Sequence, residues 1–184
     1  MRRSMDPGDS RSPTGDANLL QTVITESAAD ELTRRLNEPF KPSKTDLINM
    51  VFRGASVLST MAAELGVILR IQIRGEGISI SVDEEKLRRA LNALVIHLLT
   101  VSQSGGWVTI GLEEKPADGR RGFTLRLTAD KIVLPRTSIP EFEEELNTQA
   151  ELSLCRKIVE KHGGILGIQF QDENKLTFSV WLPA

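Results

Sequence analysis

One cysteine, no tyrosine and only 4% aromatic residues occur in this chain of 184, and no apolar run approaches the ~20 residues that span a bilayer. Each shortage closes a class. A lone Cys155 cannot form an internal disulfide, and with no Cys-His ligand spacing around it, it reads as a core thiol in a reducing compartment. The longest apolar stretch is broken by Asn92 and His97, so a cytoplasmic location and no membrane partner are expected. The N-terminal MRRSMDPGDSRSPTGDAN has no hydrophobic centre and reads as a flexible leader, residues 1–17, not as a secretion signal. With 23 basic and 25 acidic residues the net charge is −2, too little to draw in a polyanion. The pairs Arg34-Arg35 and Arg120-Arg121 are isolated and lack interleaved aromatics, so they read as solvated, and no nucleic-acid partner is expected. There is no P-loop and no Gly-x-Ser-x-Gly, and the two histidines, His97 and His162, fall on different predicted helices.

What is present is organised around DEEKLRRALNALVIHLLTVSQSGG, residues 83–106. Asp83 is placed to cap a helix, Glu84 and Glu85 suit its positive end, and Leu87, Leu91, Leu94, Val95 and Leu98 recur at helical spacing. Ahead of it, Leu19, Leu20, Val23, Ile24, Ala28, Leu32 and Leu36 make one helical stripe closed by Pro39 and Pro42. A second helix is predicted from an N-cap at Ser43, with Leu47, Val51, Ala55, Leu58 and Met61 inward and Gly66 as its stop. Two amphipathic helices joined by a short loop make a hairpin over residues 18–66 that needs a partner, either the domain that follows or a second copy. Residues 67–83, VILRIQIRGEGISISVD, alternate on both sides of Gly75-Glu76-Gly77 and are predicted as a β-hairpin. WVTIGLEEK and GFTLRLTAD are predicted to pair, and a helix over 150–161 and a final hairpin close the chain. Trp107 and Trp181 read as core or rim packing. Helices on one face of a mixed, mainly antiparallel sheet is the architecture this order implies, a two-layer α+β sandwich over residues 67–184.

The segment 83–106 resembles the central helix of the histidine-kinase-like ATPase fold, in which an acid opens the helix and a Gly-Gly turn precedes the next strand. ELSLCRKIVEKHGGILGIQFQDENKLTFSVWLPA resembles that family's closing segment, with His162-Gly163-Gly164 as a structural helix end. The resemblance covers roughly residues 45–184 and implies the catalytic region of a sensor histidine kinase, with the preceding hairpin as a dimerisation segment. The family's phosphoacceptor motif, His-Glu-Leu-Arg-Thr-Pro-Leu, has its best counterpart in DELTRRL, where Asp30 stands at the histidine and Glu31, Leu32 and Leu36 match. Histidine phosphorylation in this hairpin is therefore excluded.

The resemblance also implies the parts of a nucleotide site, and here they are other residues. The Mg²⁺-holding asparagine falls on His97, and the position one turn earlier on Ala93; imidazole is a poor ligand for a hard cation. The adenine-binding Asp-x-Gly-x-Gly turn falls on Ala129, Lys131 and Val133, with Asp130 one residue out of place. The glycines of the phosphate loop fall on Gln149 and Glu151, whose side chains, one of them anionic, occupy room a phosphate would need. Glu141, Glu143, Glu144 and Glu145 sit where a lid would cover the phosphates, and EFEEEL reads as a short amphipathic helix over the vacant site or as a docking patch for a basic partner. The expectation is a non-catalytic, dimeric signalling scaffold of a two-component-type pathway, without cofactor, its hairpin contacts including Leu20, Ile24, Leu32, Leu47, Val51 and Leu58. A response regulator or sensor kinase is the partner the resemblance implies. The alternatives are an active kinase or ATPase with diverged boxes, binding ATP and Mg²⁺, and a histidine-phosphotransferase-like protein.

Overall fold

The structure is a computed structural model that describes Arg34 and residues 37–117, 119–133, 149–171 and 174–184. Three helices lie on one face of a five-stranded sheet. In chain order the elements are β1 (Ser43–Asp46), α1 (Leu47–Glu64), β2 (Ile68–Arg74), β3 (Ser79–Val82), α2 (Glu84–Val101), β4 (Trp107–Glu114), β5 (Gly122–Ala129), α3 (Ala150–Lys161), β6 (Ile165–Gln171) and β7 (Lys175–Pro183). The main sheet runs β2-β4-β5-β7-β6, with β2 and β4 parallel and every other neighbour antiparallel, while β1 and β3 form a separate two-stranded ribbon.

Alternation along the strands decides which face is covered. Val108, Ile110 and Leu112 on β4 oppose Ala129, Leu127 and Leu125 on β5, and these oppose Leu176, Phe178 and Val180 on β7, making a buried apolar layer. The apolar stripe of α2, with Leu87, Leu94 and Leu98 fully buried, closes onto that layer. Asp83 caps α2 by accepting from the Lys86 N–H at 3.1 Å, as its position predicts. Helix 150–161 and the antiparallel pairs β4–β5 and β6–β7 also form as expected.

Two expectations fail. Residues 67–83 are not a β-hairpin: β2 pairs with β4 and β3 with β1, because alternation specifies a strand but not its partner, and the Gly75-Glu76-Gly77 turn, with both glycines at positive φ, carries the chain out of the sheet. The second helix does not start at Ser43. Residues 43–46 form β1 instead, and Asp46 is the cap, accepting from the Ile48 and Asn49 N–H groups at 2.9 and 3.1 Å. Helix α1 packs against α2 and β2, so Leu47, Val51 and Leu58, expected at a dimer contact, are buried in the domain core at 0, 5 and 6% exposure. Leu20, Ile24, Asp30 and Leu32 lie outside the described residues, as does EFEEEL. Gly66 ends α1 at φ 68, as the stop signal predicts. No helix among the described residues is long and apolar enough to cross a membrane.

Candidate functional site

Helices α2 and α3 run antiparallel, tied at two levels. Near one end the Asp83 N–H donates to Nε2 of His162 at 3.0 Å; midway the Cys155 thiol donates to the Ala90 carbonyl at 3.6 Å. The same register brings the first turn of α3 level with Ala93 and Leu94, and His97 one turn further along α2. At this second end lie three of the residues that sequence reasoning singled out, His97, Ala93 and Glu151.

His97 is half-buried and its ring meets Phe178 of β7 edge-on at 5.8 Å between centroids. Its Nε2 is shut off from water with no hydrogen-bond partner among the described residues. Burial holds the imidazole neutral, pulling its pKa from 6.5 down to about 4. Glu151, on the first turn of α3, is 6% exposed, and burial pushes its carboxyl from 4.5 up to about 7. A helix N-terminus would favour the anion, so desolvation outweighs the dipole here. Gln149, the N-cap, makes no side-chain capping bond. Cys155 lies one turn beyond Glu151, and burial together with that carboxyl drives its thiol strongly upward, leaving it inert.

The segment after β5 is the third part. Lys131 stands at φ 53, the one non-glycine residue among those described in the left-handed region, at a place where the resemblance puts a glycine. A left-handed conformation that suits glycine is here taken by a residue with a side chain. N–H groups here are already committed: Asp130 donates to the Trp107 carbonyl at 3.0 Å, Ile132 to Asn174 at 3.1 Å and Val133 to Val101 at 2.8 Å. Ala129 is fully buried and Val133 is 56% exposed. The Asp130 carboxylate accepts from the Trp107 N–H on the neighbouring strand β4, so it is held across the sheet and lines its far side. The structure thus brings His97, Ala93 and Glu151 to one end of the helix pair, and keeps Asp130 away from them.

The opposite end was legible only as a helix stop. His162 is 8% exposed; its Nε2 accepts from Asp83, so the proton sits on Nδ1, which donates to the Ile158 carbonyl at 2.7 Å. Phe40 packs edge-on to the ring at 4.8 Å, and the Lys41 N–H donates to Oδ2 of Asp83 at 2.9 Å, so the chain entering the domain is pinned to the same node. Gly163 stands at φ 71, and a Cβ on Gly164 would run into the Trp181 carbonyl. The buried Trp181 donates its indole N–H to the Lys115 carbonyl at 2.9 Å, while Trp107 stays on the rim. Arg121 pairs with Glu114 at 2.8 Å and Arg120 sits over the Trp181 ring, so this basic pair is partnered and not simply solvated.

No family model matches the chain. It is 22% identical over 173 residues to the adaptive-response sensory kinase SasA of Prochlorococcus marinus (strain MIT 9313), covering 88% of this chain and 46% of that protein. It is 26% identical over 186 residues to the sensor histidine kinase ZraS of Escherichia coli (strain K12), covering 94% and 39%. The chain therefore spans less than half the length of these curated relatives. Among solved structures, histidine kinase ThkA in complex with the response regulator protein TrrA superposes with a TM-score of 0.73 at 17% identity, covering 97% of this chain and 53% of that one. The nucleotide-free catalytic domain of ThkA gives 0.66 at 17% identity, covering 78% and 95%. In sequence this chain resembles sensor histidine kinases, and its fold is that of the histidine kinase catalytic domain.

Proposed function

We propose that this chain is a non-catalytic member of the two-component signalling world, a scaffold whose nucleotide site is lost. The observation that carries the reading is Glu151: a buried carboxyl on the first turn of α3 occupies a place where a glycine would let backbone N–H groups approach phosphate. Above its midpoint near 7 it is an anion facing an anionic ligand. His97 and Ala93 offer no oxygen to Mg²⁺, and the N–H groups of 130, 132 and 133 are spent on carbonyls. ATP and Mg²⁺ do not fit the residues present.

The partner we infer is a response regulator, a reading supported by the ThkA structure, which is a complex with one. Dimerisation, in this reading, rests on the N-terminal stripe of Leu20, Ile24 and Leu32, since Leu47, Val51 and Leu58 are used in the core. The left-handed bend at Lys131, where the resemblance puts a glycine, favours the second reading, an active kinase or ATPase with diverged boxes.

Calorimetric titration with Mg-ATP separates the two. The scaffold gives no heat at millimolar nucleotide, while a chain carrying His97→Asn, Ala129→Asp, Lys131→Gly, Val133→Gly, Gln149→Gly and Glu151→Gly regains binding. Micromolar binding by the unaltered chain, abolished by Asp130→Asn, would overturn the proposal.

A further inference from the structure

The helices cover one face of the main sheet and leave the other open. On that open face Gly111 of β4 lies between Gln72 of β2 and Arg126 of β5, and its missing side chain lets the floor dip into a groove of about 320 Å³. This is within the size range of ligand-binding clefts. Trp107 forms one end, 40% exposed, beside its register partner Ile68, 49% exposed. Lys175 and Arg126 line the groove.

The charge on this face runs against that of the chain. Among the described residues, Arg70, Arg74, Arg126 and Lys175 stand against two carboxylates, and both carboxylates are engaged: Glu113 lies between Arg74 at 3.9 Å and Arg126 at 3.6 Å, and Asp130 accepts from the Trp107 N–H. Among the described residues of this face a cationic surplus remains, on a protein whose net charge is −2. The Arg70 guanidinium lies 3.2 Å from the Trp107 ring centroid, so one face of the indole is already covered. That disfavours a stacked nucleobase, and four cations with one partly covered ring make neither a phosphate track nor a stacking platform. A polypeptide that brings carboxylates and an apolar side chain matches both halves of the surface.

We propose that the open face of the sheet is a docking surface for an acidic polypeptide segment of a partner protein, with carboxylates on Arg126 and Lys175 and an apolar side chain against Trp107 and Ile68. The proposal goes beyond the scaffold reading and is independent of whether the chain binds nucleotide.

Fluorescence anisotropy on the full chain tests it, with a short labelled peptide alternating Glu with Ile and Phe as the probe. The peptide binds, binding weakens as salt is raised, and Arg126→Glu with Lys175→Glu weakens it at least about tenfold. Gly111→Gln, whose Cβ meets only ordinary contacts with Arg126 and Gln72, fills the floor and weakens binding without changing charge. Circular dichroism of each variant is unchanged. The proposal is overturned by no anisotropy change with the acidic peptide, by undiminished binding in both variants, or by tighter binding of the same peptide with Lys for Glu or of an oligouridylate.

Discussion

The two ends of the α2–α3 pair carry one histidine each and treat it oppositely. At the His162 end both ring nitrogens are hydrogen-bonded, the ring is buried, and Phe40 and Lys41 fasten the entering chain to the same node. At the His97 end, among the described residues, a ring nitrogen is buried with no partner and the carboxyl of Glu151 is buried with no ion pair. Where a motif residue does packing work, it is present and satisfied. Where the resemblance would have it touch a ligand, it is replaced, and two of the replacements, His97 and Glu151, are buried at a cost to their own surroundings.

The largest break in this contrast comes from His162→Ala. The substitution leaves the Asp83 N–H and the Ile158 carbonyl without partners, removes the edge contact with Phe40 and opens a cavity under the α3 terminus. A loss of about 3 kcal/mol is expected, read as a lower urea midpoint with an unchanged slope. A loss below about 1 kcal/mol would show that the two ends do not differ as described.

The contrast also marks what was legible in the sequence. The cap at Asp83, the stripe of α2, the glycine stop at 163–164 and the closing hairpin are local signals, each set by neighbours within a few residues, and each formed as read. Non-local pairings were not legible. SKTD carries three good capping residues and no apolar alternation, so only its partner, residues 79–82, makes it a strand. Counting along α2 and α3 located His97, Ala93 and Glu151, but their burial depends on the helix opposite, which counting cannot see. Likewise Asp130 sits one residue from the expected aspartate, and only the sheet shows its carboxylate turned to the Trp107 N–H. The Phe40–His162–Asp83 node had no signal beyond an aromatic in a proline-rich linker.

Glu151→Gln sharpens the comparison from the other end. The folded carboxyl holds its proton up to about 7, while the unfolded one releases it near 4.5. Stabilisation from the protonated form is complete below 4.5 and is lost as pH rises toward 7, so the unaltered chain weakens across that window. Glutamine keeps the shape without the charge. At pH 8 the variant is expected to be about 2 kcal/mol more stable than the parent, with the two converging at pH 4.5 in urea titrations. Equal stability at pH 8 would mean that solvent or a cation already relieves the carboxylate.

The smallest expected effect is that of His97→Leu, and its sign tests whether the orphaned nitrogen matters. Leucine fills similar space against Phe178 and removes a buried polar atom that no described residue satisfies, so a gain of about 1 kcal/mol at neutral pH is expected. The pH dependence runs opposite to that of Glu151. The unfolded imidazole takes a proton near 6.5 and the folded one resists until about 4, so the parent loses stability as pH falls between those values and the leucine variant does not. Measured together, the two variants separate the charges: Glu151→Gln lifts the alkaline side of the stability profile and His97→Leu the acid side. If His97→Leu instead destabilises the protein at neutral pH, the imidazole has a partner in the assembled state, and this end of the helix pair is built to be completed by something that binds there.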